Sequence, residues 1–144
     1  MITQQLKCLF ERYISAFSAY ELDAVIACYQ LPCTLHTPDK VVLLNNIDEC
    51  KQEFGDIFAQ LKQAKTAKII ARKASYISIS GDLLLVCVNW DFIDEQENVF
   101  ADFCAYYHIR VLNNTEQPLA IVNVVSHELV NSIPLANEFT INGY

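Results

Sequence analysis

The fold is decided by the stretch Ser80-Gly81-Asp82-Leu83-Leu84-Leu85-Val86-Cys87-Val88-Asn89-Trp90-Asp91-Phe92. After the tight turn, every even position from 84 to 92 is apolar, and this period of two is typical of a β-strand. The same period extends over the second half of the chain and predicts four strands near 66–80, 82–94, 98–112 and 118–130. Polar loops of hairpin length separate these strands, so we expect an antiparallel meander.

The first half of the chain has helical spacing instead. Apolar side chains three or four residues apart predict one helix over 2–20 and a shorter one over 22–29. A third helix is expected behind Asn46, because Asn46 and Glu49 have the spacing of a capping box.

Helices followed by strands predict an α+β domain. Short strands are also expected at 33–37 and 40–44. Together with the four long strands they make a mostly antiparallel sheet of about six strands, on which the three N-terminal helices pack. We expect a single domain over residues 1–130 and a short, loosely held C-terminal tail over 131–144.

The composition is apolar and acidic. Of 144 residues, 53% are hydrophobic and 19% are charged, with a formal net charge of −7. This excludes a disordered chain, and no apolar run approaches the roughly 18 residues that a membrane span needs. The acidic balance argues against a nucleic-acid partner, because such proteins carry a basic patch. The first residues lack the apolar core of a secretory signal, which predicts a cytoplasmic protein with reduced cysteines.

The predicted strands carry too few polar side chains for a sheet with one face in water. The mixed face of strand 98–112 still includes Cys104 and Tyr106, and strand 118–130 is largely apolar on both faces. We therefore expect a second subunit to cover the outer sheet face, most simply in a symmetric homodimer.

The order of these elements, over about residues 4–130, resembles the nuclear transport factor 2-like superfamily. Within it, the chain is most similar to small bacterial SnoaL-like polyketide cyclases and ketosteroid isomerases, without a close characterised relative. The local matches are Tyr29-Gln30-Leu31-Pro32-Cys33, Pro38-Asp39-Lys40, Gly81-Asp82-Leu83-Leu84-Leu85-Val86, Trp90, Phe103-Cys104-Ala105-Tyr106-Tyr107 and Val124-Val125-Ser126-His127. The chain departs from the pattern in two places: Lys40 replaces the glycine of the usual turn, and Pro118-Leu119 replaces the usual Gly-Trp.

The resemblance implies a cystatin-like cone, in which a strongly curved sheet wraps around the first helix and encloses a cavity. The leading function is therefore binding of a small, largely apolar molecule without a cofactor. The residues expected to contact this molecule are Tyr13, Phe17, Tyr29, Trp90, Tyr107 and Asn123. At these spacings the aromatic side chains could equally fill a core.

The alternative from the enzyme class is a cofactor-independent isomerase, dehydratase or cyclase. It needs a base and a hydroxyl donor in an apolar pocket. The candidate bases are Asp91, Asp102, His108 and His127, and the candidate donors are Tyr13, Tyr29, Tyr106 and Tyr107. If Trp90 and Tyr107 face the helices, Asn123 and His127 are the polar groups left facing the cavity, and His127 is the candidate catalytic residue. A third alternative is a dimeric interaction module whose cone is filled by its own aromatic side chains.

Other chemistries have little support in the sequence. The three histidines, His36, His108 and His127, are far apart, and no zinc-ligand spacing is present, so no metal is expected. Cys33 is the cysteine expected to be most accessible, although a structural role is favoured. No glycine-rich loop is available to hold a phosphate.

Overall fold

The long strands expected beyond residue 66 are present in the computed structural model, which describes residues 1–142. The helices are α1 (Ile2–Ser18), α2 (Leu22–Ile26) and α3 (Ile47–Gln63). The strands are β1 (Tyr29–His36), β2 (Val41–Leu44), β3 (Thr66–Ser80), β4 (Leu83–Asp94), β5 (Val99–Val111), β6 (Leu119–His127) and β7 (Asn137–Phe139). One sheet contains all seven, in the order β2-β1-β6-β5-β4-β3-β7. Every neighbouring pair is antiparallel except β1 and β6, which are parallel.

The helices cover one face of this sheet, as the α+β prediction requires. Helix α1 buries a stripe of apolar side chains at helical spacing, namely Leu6, Leu9, Phe10, Ile14 and Phe17. The ring of Phe10 packs edge-on against Tyr107 of β5, with centroids 5.0 Å apart. The core therefore lies between α1 and the inner face of β4 and β5, where the even positions of β4 point.

Helix α3 begins as its capping residues predict. The Asn46 side chain accepts a hydrogen bond of 2.9 Å from the Glu49 backbone N–H. The Glu49 carboxylate reaches back to the N–H of Asn45, at 2.8 Å, rather than to that of Asn46. Two backbone donors near the start of the helix are thus satisfied, which fixes where α3 begins.

The sheet has one more strand than expected, and the extra strand lies in the segment predicted to be a loose tail. β7 pairs with β3, placing Glu138 opposite Ser75. Phe139 and Ile141 are both buried in the core. The expectation of a loosely held tail is wrong because these two apolar side chains, two residues apart, are both buried in the core, where Phe139 packs against Phe10 of α1.

Residues 128–135 connect β6 to β7 by crossing the outer face of the sheet, and we call this segment the strap. The Tyr106 hydroxyl donates to the Asn131 carbonyl at 2.6 Å and accepts from the Ile133 N–H at 2.9 Å. Further along, the Leu135 N–H donates to the Ser75 hydroxyl at 2.9 Å. The chain itself therefore covers part of the face that the sequence analysis assigned to a second subunit.

Strand β6 contains a one-residue bulge. Ile121 pairs with Ile109 and Asn123 pairs with His108, which leaves Val122 between them without a partner. A bulge of this kind moves every later side chain of the strand to the opposite face. No helix within residues 1–142 is long and apolar enough to cross a membrane.

Candidate functional site

A cavity of about 270 Å³ lies between α1, α3 and the inner face of the sheet. Ligand pockets run from roughly 300 to 1,000 Å³, so this cavity lies just below that range and has room only for a molecule at the small end. Most of its wall is apolar, with side chains such as Leu35, Ile57, Phe92, Phe103 and Val124. The aromatic residues singled out in the sequence, Tyr13, Phe17, Tyr29, Trp90 and Tyr107, all line it.

The deep end of the cavity holds a cluster of hydrogen-bonded aromatic side chains. The indole N–H of Trp90 donates to the Tyr107 hydroxyl at 2.9 Å. The hydroxyls of Tyr13 and Tyr29 are 3.0 Å apart and share a hydrogen bond. The rings of Tyr13 and Tyr107 meet edge to face, with centroids 6.1 Å apart, and so bring the two pairs together. We call these four side chains, the three tyrosines together with Trp90, the phenol cluster.

The phenol cluster has more polar hydrogens than the hydrogen bonds within it use. The four polar groups carry one hydrogen each, and the two hydrogen bonds use two of them. Trp90 can only donate, so the Tyr107 oxygen is an acceptor and its own hydrogen needs another partner. Even if Tyr107 donates to Tyr13, one phenolic O–H is left over. A molecule in the cavity would therefore meet a hydrogen-bond donor at its deep end.

These phenols stay neutral at ordinary pH. Burial raises the pKa of Tyr13, of Tyr29 and of Tyr107 well above the usual value for tyrosine. For Tyr29 the hydrogen bond with Tyr13 acts in the opposite direction and lowers its pKa, but burial is the larger effect. The cluster therefore presents O–H donors rather than phenolate anions.

The mouth of the cavity is polar and carries an ion pair. Thr37 and Lys40, from the turn between β1 and β2, face Glu53 and Gln60 of α3. The Lys40 ammonium lies 3.4 Å from the Glu53 carboxylate. The Glu53 side chain is only 17% exposed, whereas that of Lys40 is 59% exposed. The helix thus holds a largely buried carboxylate at the mouth, with an exposed lysine beside it.

Glu53 is not among the site residues predicted from the sequence. It sits in the polar run Lys51-Gln52-Glu53, which has the composition of a solvated helix face. The available signal was its spacing to Ile57 and Gln60, four and seven residues later, which places all three on one side of α3. Lys40, noted only as a departure from the usual turn, supplies the partner.

Asn123 and His127 do not face the cavity, and the prediction that they do is wrong. The side-chain oxygen of Asn123 forms a hydrogen bond of 2.9 Å with Nδ1 of His108. The side-chain nitrogen of Asn123 donates to the Thr34 hydroxyl at 2.7 Å. His127 is exposed and pairs with Cys104 on the outer face. The bulge at Val122 is the cause, because it turns these odd positions outward. Val124 and Ser126 line the cavity in their place.

The remaining candidate bases and nucleophiles also lie elsewhere. Asp91 forms an ion pair with Arg72 and is paired in register with Asp102, which is exposed. Cys33, expected to be accessible, is 1% exposed, and burial raises the pKa of its thiol to about 12. Within residues 1–142 no group of three or more histidine, cysteine or acidic side chains is placed to hold a metal ion.

Comparison with known proteins agrees with this architecture. The sequence profile of a family described as NTF2-like protein (DUF6841) matches residues 4–129. The chain belongs to this NTF2-like family. A search of curated proteins finds no match.

Solved structures with the same fold are distant in sequence. An NTF2-like protein with a cystatin-like fold from Novosphingobium aromaticivorans superposes with a TM-score of 0.72 at 9% identity, covering 90% of this chain and 82% of that one. A cystatin-like protein of unknown function from Nostoc punctiforme gives 0.70 at 13% identity, covering 92% and 94%. A Shewanella frigidimarina protein provisionally described as a ketosteroid isomerase gives 0.67 at 11% identity, covering 85% and 94%. At these identities the likeness establishes the NTF2-like, cystatin-like fold alone.

Proposed function

We propose that this NTF2-like protein binds a small, largely apolar molecule that carries a hydrogen-bond acceptor oxygen. The observation that carries the proposal is the spare phenolic donor at the deep end of an otherwise apolar cavity. A donor in such a place is costly to leave unpaired, since an unpaired buried polar group destabilises by about 1–3 kcal/mol. A ketone, ester or amide oxygen would accept this hydrogen while the rest of the molecule packs against the apolar wall.

Binding is better supported than turnover. An isomerase, dehydratase or cyclase needs a base beside the bound molecule, within hydrogen-bond reach of the proton it removes. The candidate base His127 is exposed on the opposite face of the sheet. The lining residues that could act as a base are Glu53, which lies at the mouth, and His36, which precedes Thr37 of the mouth in sequence, whereas the spare phenolic donor lies at the deep end. We therefore place catalysis second to binding.

Two probes of similar shape test the proposal. Para-ethylacetophenone carries a ketone oxygen, and para-diethylbenzene lacks it. We expect the ketone to raise Tm and to bind about fivefold more tightly than the hydrocarbon, because one hydrogen bond contributes about 1 kcal/mol. Equal affinities for the two probes, or no effect of the ketone on Tm, would contradict the proposal.

Replacing a phenol locates the donor. If hydrogens are donated in the order Trp90, Tyr107, Tyr13 and Tyr29, the spare O–H belongs to Tyr29. Tyr29→Phe should then reduce the advantage of the ketone over the hydrocarbon, because the O–H left over passes to Tyr13, whose hydroxyl lies 3.0 Å from that of Tyr29. Tyr20→Phe is the matched control, since Tyr20 packs on Phe58 outside the cavity lining. Retention of the ketone advantage in Tyr29→Phe would mean that another phenol supplies the donor.

We also propose that the protein forms a homodimer through the outer face of the sheet. The strap carries exposed apolar side chains on this face: Leu129, Val130 and Ile133. Clustered exposed apolar side chains favour association. The interface would then involve the strap as well as the bare sheet.

A further inference from the structure

Glu53 has an unusual environment for a carboxylate. Its side chain is 17% exposed and lines a mostly apolar cavity. The one partner found for it within residues 1–142 is the Lys40 ammonium, at 3.4 Å. A carboxylate has about four acceptor positions, so residues 1–142 leave most of the acceptor positions of Glu53 open to other donors. It is therefore a ready acceptor for a donor on a bound molecule.

Lys40 is a weak competitor for this position. It reaches Glu53 from the turn between β1 and β2, and its own side chain is 59% exposed. At 3.4 Å the contact is longer than the roughly 2.7–2.9 Å of a strong charge-assisted hydrogen bond. An ion pair that is exposed on the lysine side contributes little to stability, because the long lysine side chain loses freedom for a modest attraction. Moving Lys40 aside would consequently cost little, and its ammonium would return to water.

The positions of Glu53 and Lys40 determine whether the mouth of the cavity favours a cationic or an anionic group on the bound molecule. An anionic group that contacted Lys40 would come close to the Glu53 carboxylate and be repelled by it. A cationic group would take the place of Lys40 and contact a carboxylate that is already held by α3. The net charge of −7 also draws cations toward the protein.

We propose that the molecule bound in the cavity carries a protonated amine, which replaces Lys40 on Glu53. This inference rests on the proposed function and names its ligand class: an apolar amine with an acceptor oxygen at its far end. The oxygen accepts from the phenol cluster, the apolar middle packs against the walls, and the ammonium donates to Glu53 at the mouth.

Three probes that share one aromatic ketone test the charge preference. They are para-acetylphenethylamine, para-ethylacetophenone and para-acetylphenylpropanoic acid, which are cationic, neutral and anionic at neutral pH. By calorimetric titration we expect the amine to bind at least tenfold more tightly than the neutral ketone, and the acid to bind more weakly than the neutral ketone.

Substitution of the two halves of the ion pair should give opposite results. Glu53→Gln keeps the shape and removes the charge, and should reduce the advantage of the amine by about tenfold. Lys40→Met removes the competitor and should tighten binding of the amine severalfold. Asp56→Asn is the matched control, because Asp56 lies on the same helix but bonds the exposed Gln52 and does not line the cavity.

The outcomes separate the inference from the proposed function. If the amine and the neutral ketone bind equally well, or the acid binds most tightly, the amine inference is overturned while the ketone site stands. If the amine advantage survives in Glu53→Gln, or Asp56→Asn removes it equally, Glu53 is not its receptor. If the neutral ketone fails to bind at all, the proposed function falls together with the inference.

Discussion

Tyr107 and Trp90 depend on each other at the level of single atoms. Both side chains are 2% exposed, and the indole N–H of Trp90 donates to the Tyr107 oxygen at 2.9 Å. Since an indole can only donate, removing that oxygen leaves a buried N–H without an acceptor. The two residues thus hold the deep end of the cavity in one arrangement.

We therefore expect Tyr107→Phe to lower the free energy of unfolding by about 1–3 kcal/mol. Urea denaturation should show a lower midpoint with an unchanged slope. Tyr20→Phe is the control and should have a smaller effect, since its hydroxyl is outside the cluster. A double-mutant cycle with Trp90→Phe should give a clear coupling energy between the two residues. Additive effects would contradict a hydrogen bond that matters for stability.

The phenols also predict how stability depends on pH. The folded-state pKa of Tyr13, of Tyr29 and of Tyr107 is raised by burial, whereas in the unfolded chain each titrates near pH 10. Below pH 10 both states keep these protons. Above pH 10 the unfolded chain releases them first, so the folded state binds more protons and the free energy of unfolding falls as pH rises.

Denaturation curves measured at a series of alkaline pH values check this expectation. Phenolate absorbance in the near ultraviolet should rise in step with unfolding for the buried tyrosines. If these phenols ionise in the folded protein near pH 10, with no loss of stability, their deep burial is contradicted.

At the scale of elements, the strap depends on one side chain of β5. The Tyr106 hydroxyl bonds both the Asn131 carbonyl and the Ile133 N–H, so one oxygen fastens two points of the strap. Tyr106→Phe keeps the ring and removes both bonds. We expect hydrogen exchange at the Ile133 amide to accelerate by about fivefold or more, since one lost hydrogen bond changes the free energy of local opening by about 1 kcal/mol.

The cavity gives the internal control for this variant. Tyr106 points to the outer face and does not line the cavity, so binding of the neutral ketone should be unchanged in Tyr106→Phe. Unchanged exchange at Ile133 would show that other contacts of the strap, such as the Leu135 N–H on Ser75, hold it in place.

The sequence predicted the elements well because periodicity reports which face of an element is buried. The even positions of β4 and the face of β5 that includes Tyr107 are apolar, and both point to the helices. Strand parity failed in β6 because the bulge at Val122 leaves no mark in an apolar strand, and the shift carried Asn123 and His127 outward. Local pattern reports burial but not register.

Glu53 of α3 shows that local sequence pattern is limited in the same way for a residue on a helix. Its neighbours in sequence are polar, and only the position of the turn that contains Lys40 makes this carboxylate part of a cavity mouth. Long-range placement of this kind follows from how α3 crosses the sheet, which a single sequence does not encode in any local pattern. The aromatic wall was predictable, and the charged mouth was not.

At the scale of the whole molecule, the many apolar residues lie in two places. One is the core and cavity wall, and the other is the outer face, where the strap presents Val130 at 84% exposure and Ile133 at 60%. If a second copy covers this face, acidic side chains at these two positions would bring charges into the interface without disturbing the core of the protomer.

We expect the protein to sediment as a dimer at micromolar concentration and the double variant Val130→Asp, Ile133→Asp to sediment as a monomer. The control is Val41→Asp, because Val41 is 65% exposed on the edge strand β2, away from the strap, and its substitution should leave the dimer intact. Circular dichroism should show that the double variant remains folded, since both side chains already face solvent in the protomer. A monomeric wild-type protein would overturn the dimer proposal, and loss of the dimer in Val41→Asp would move the interface from the strap to the β2 edge.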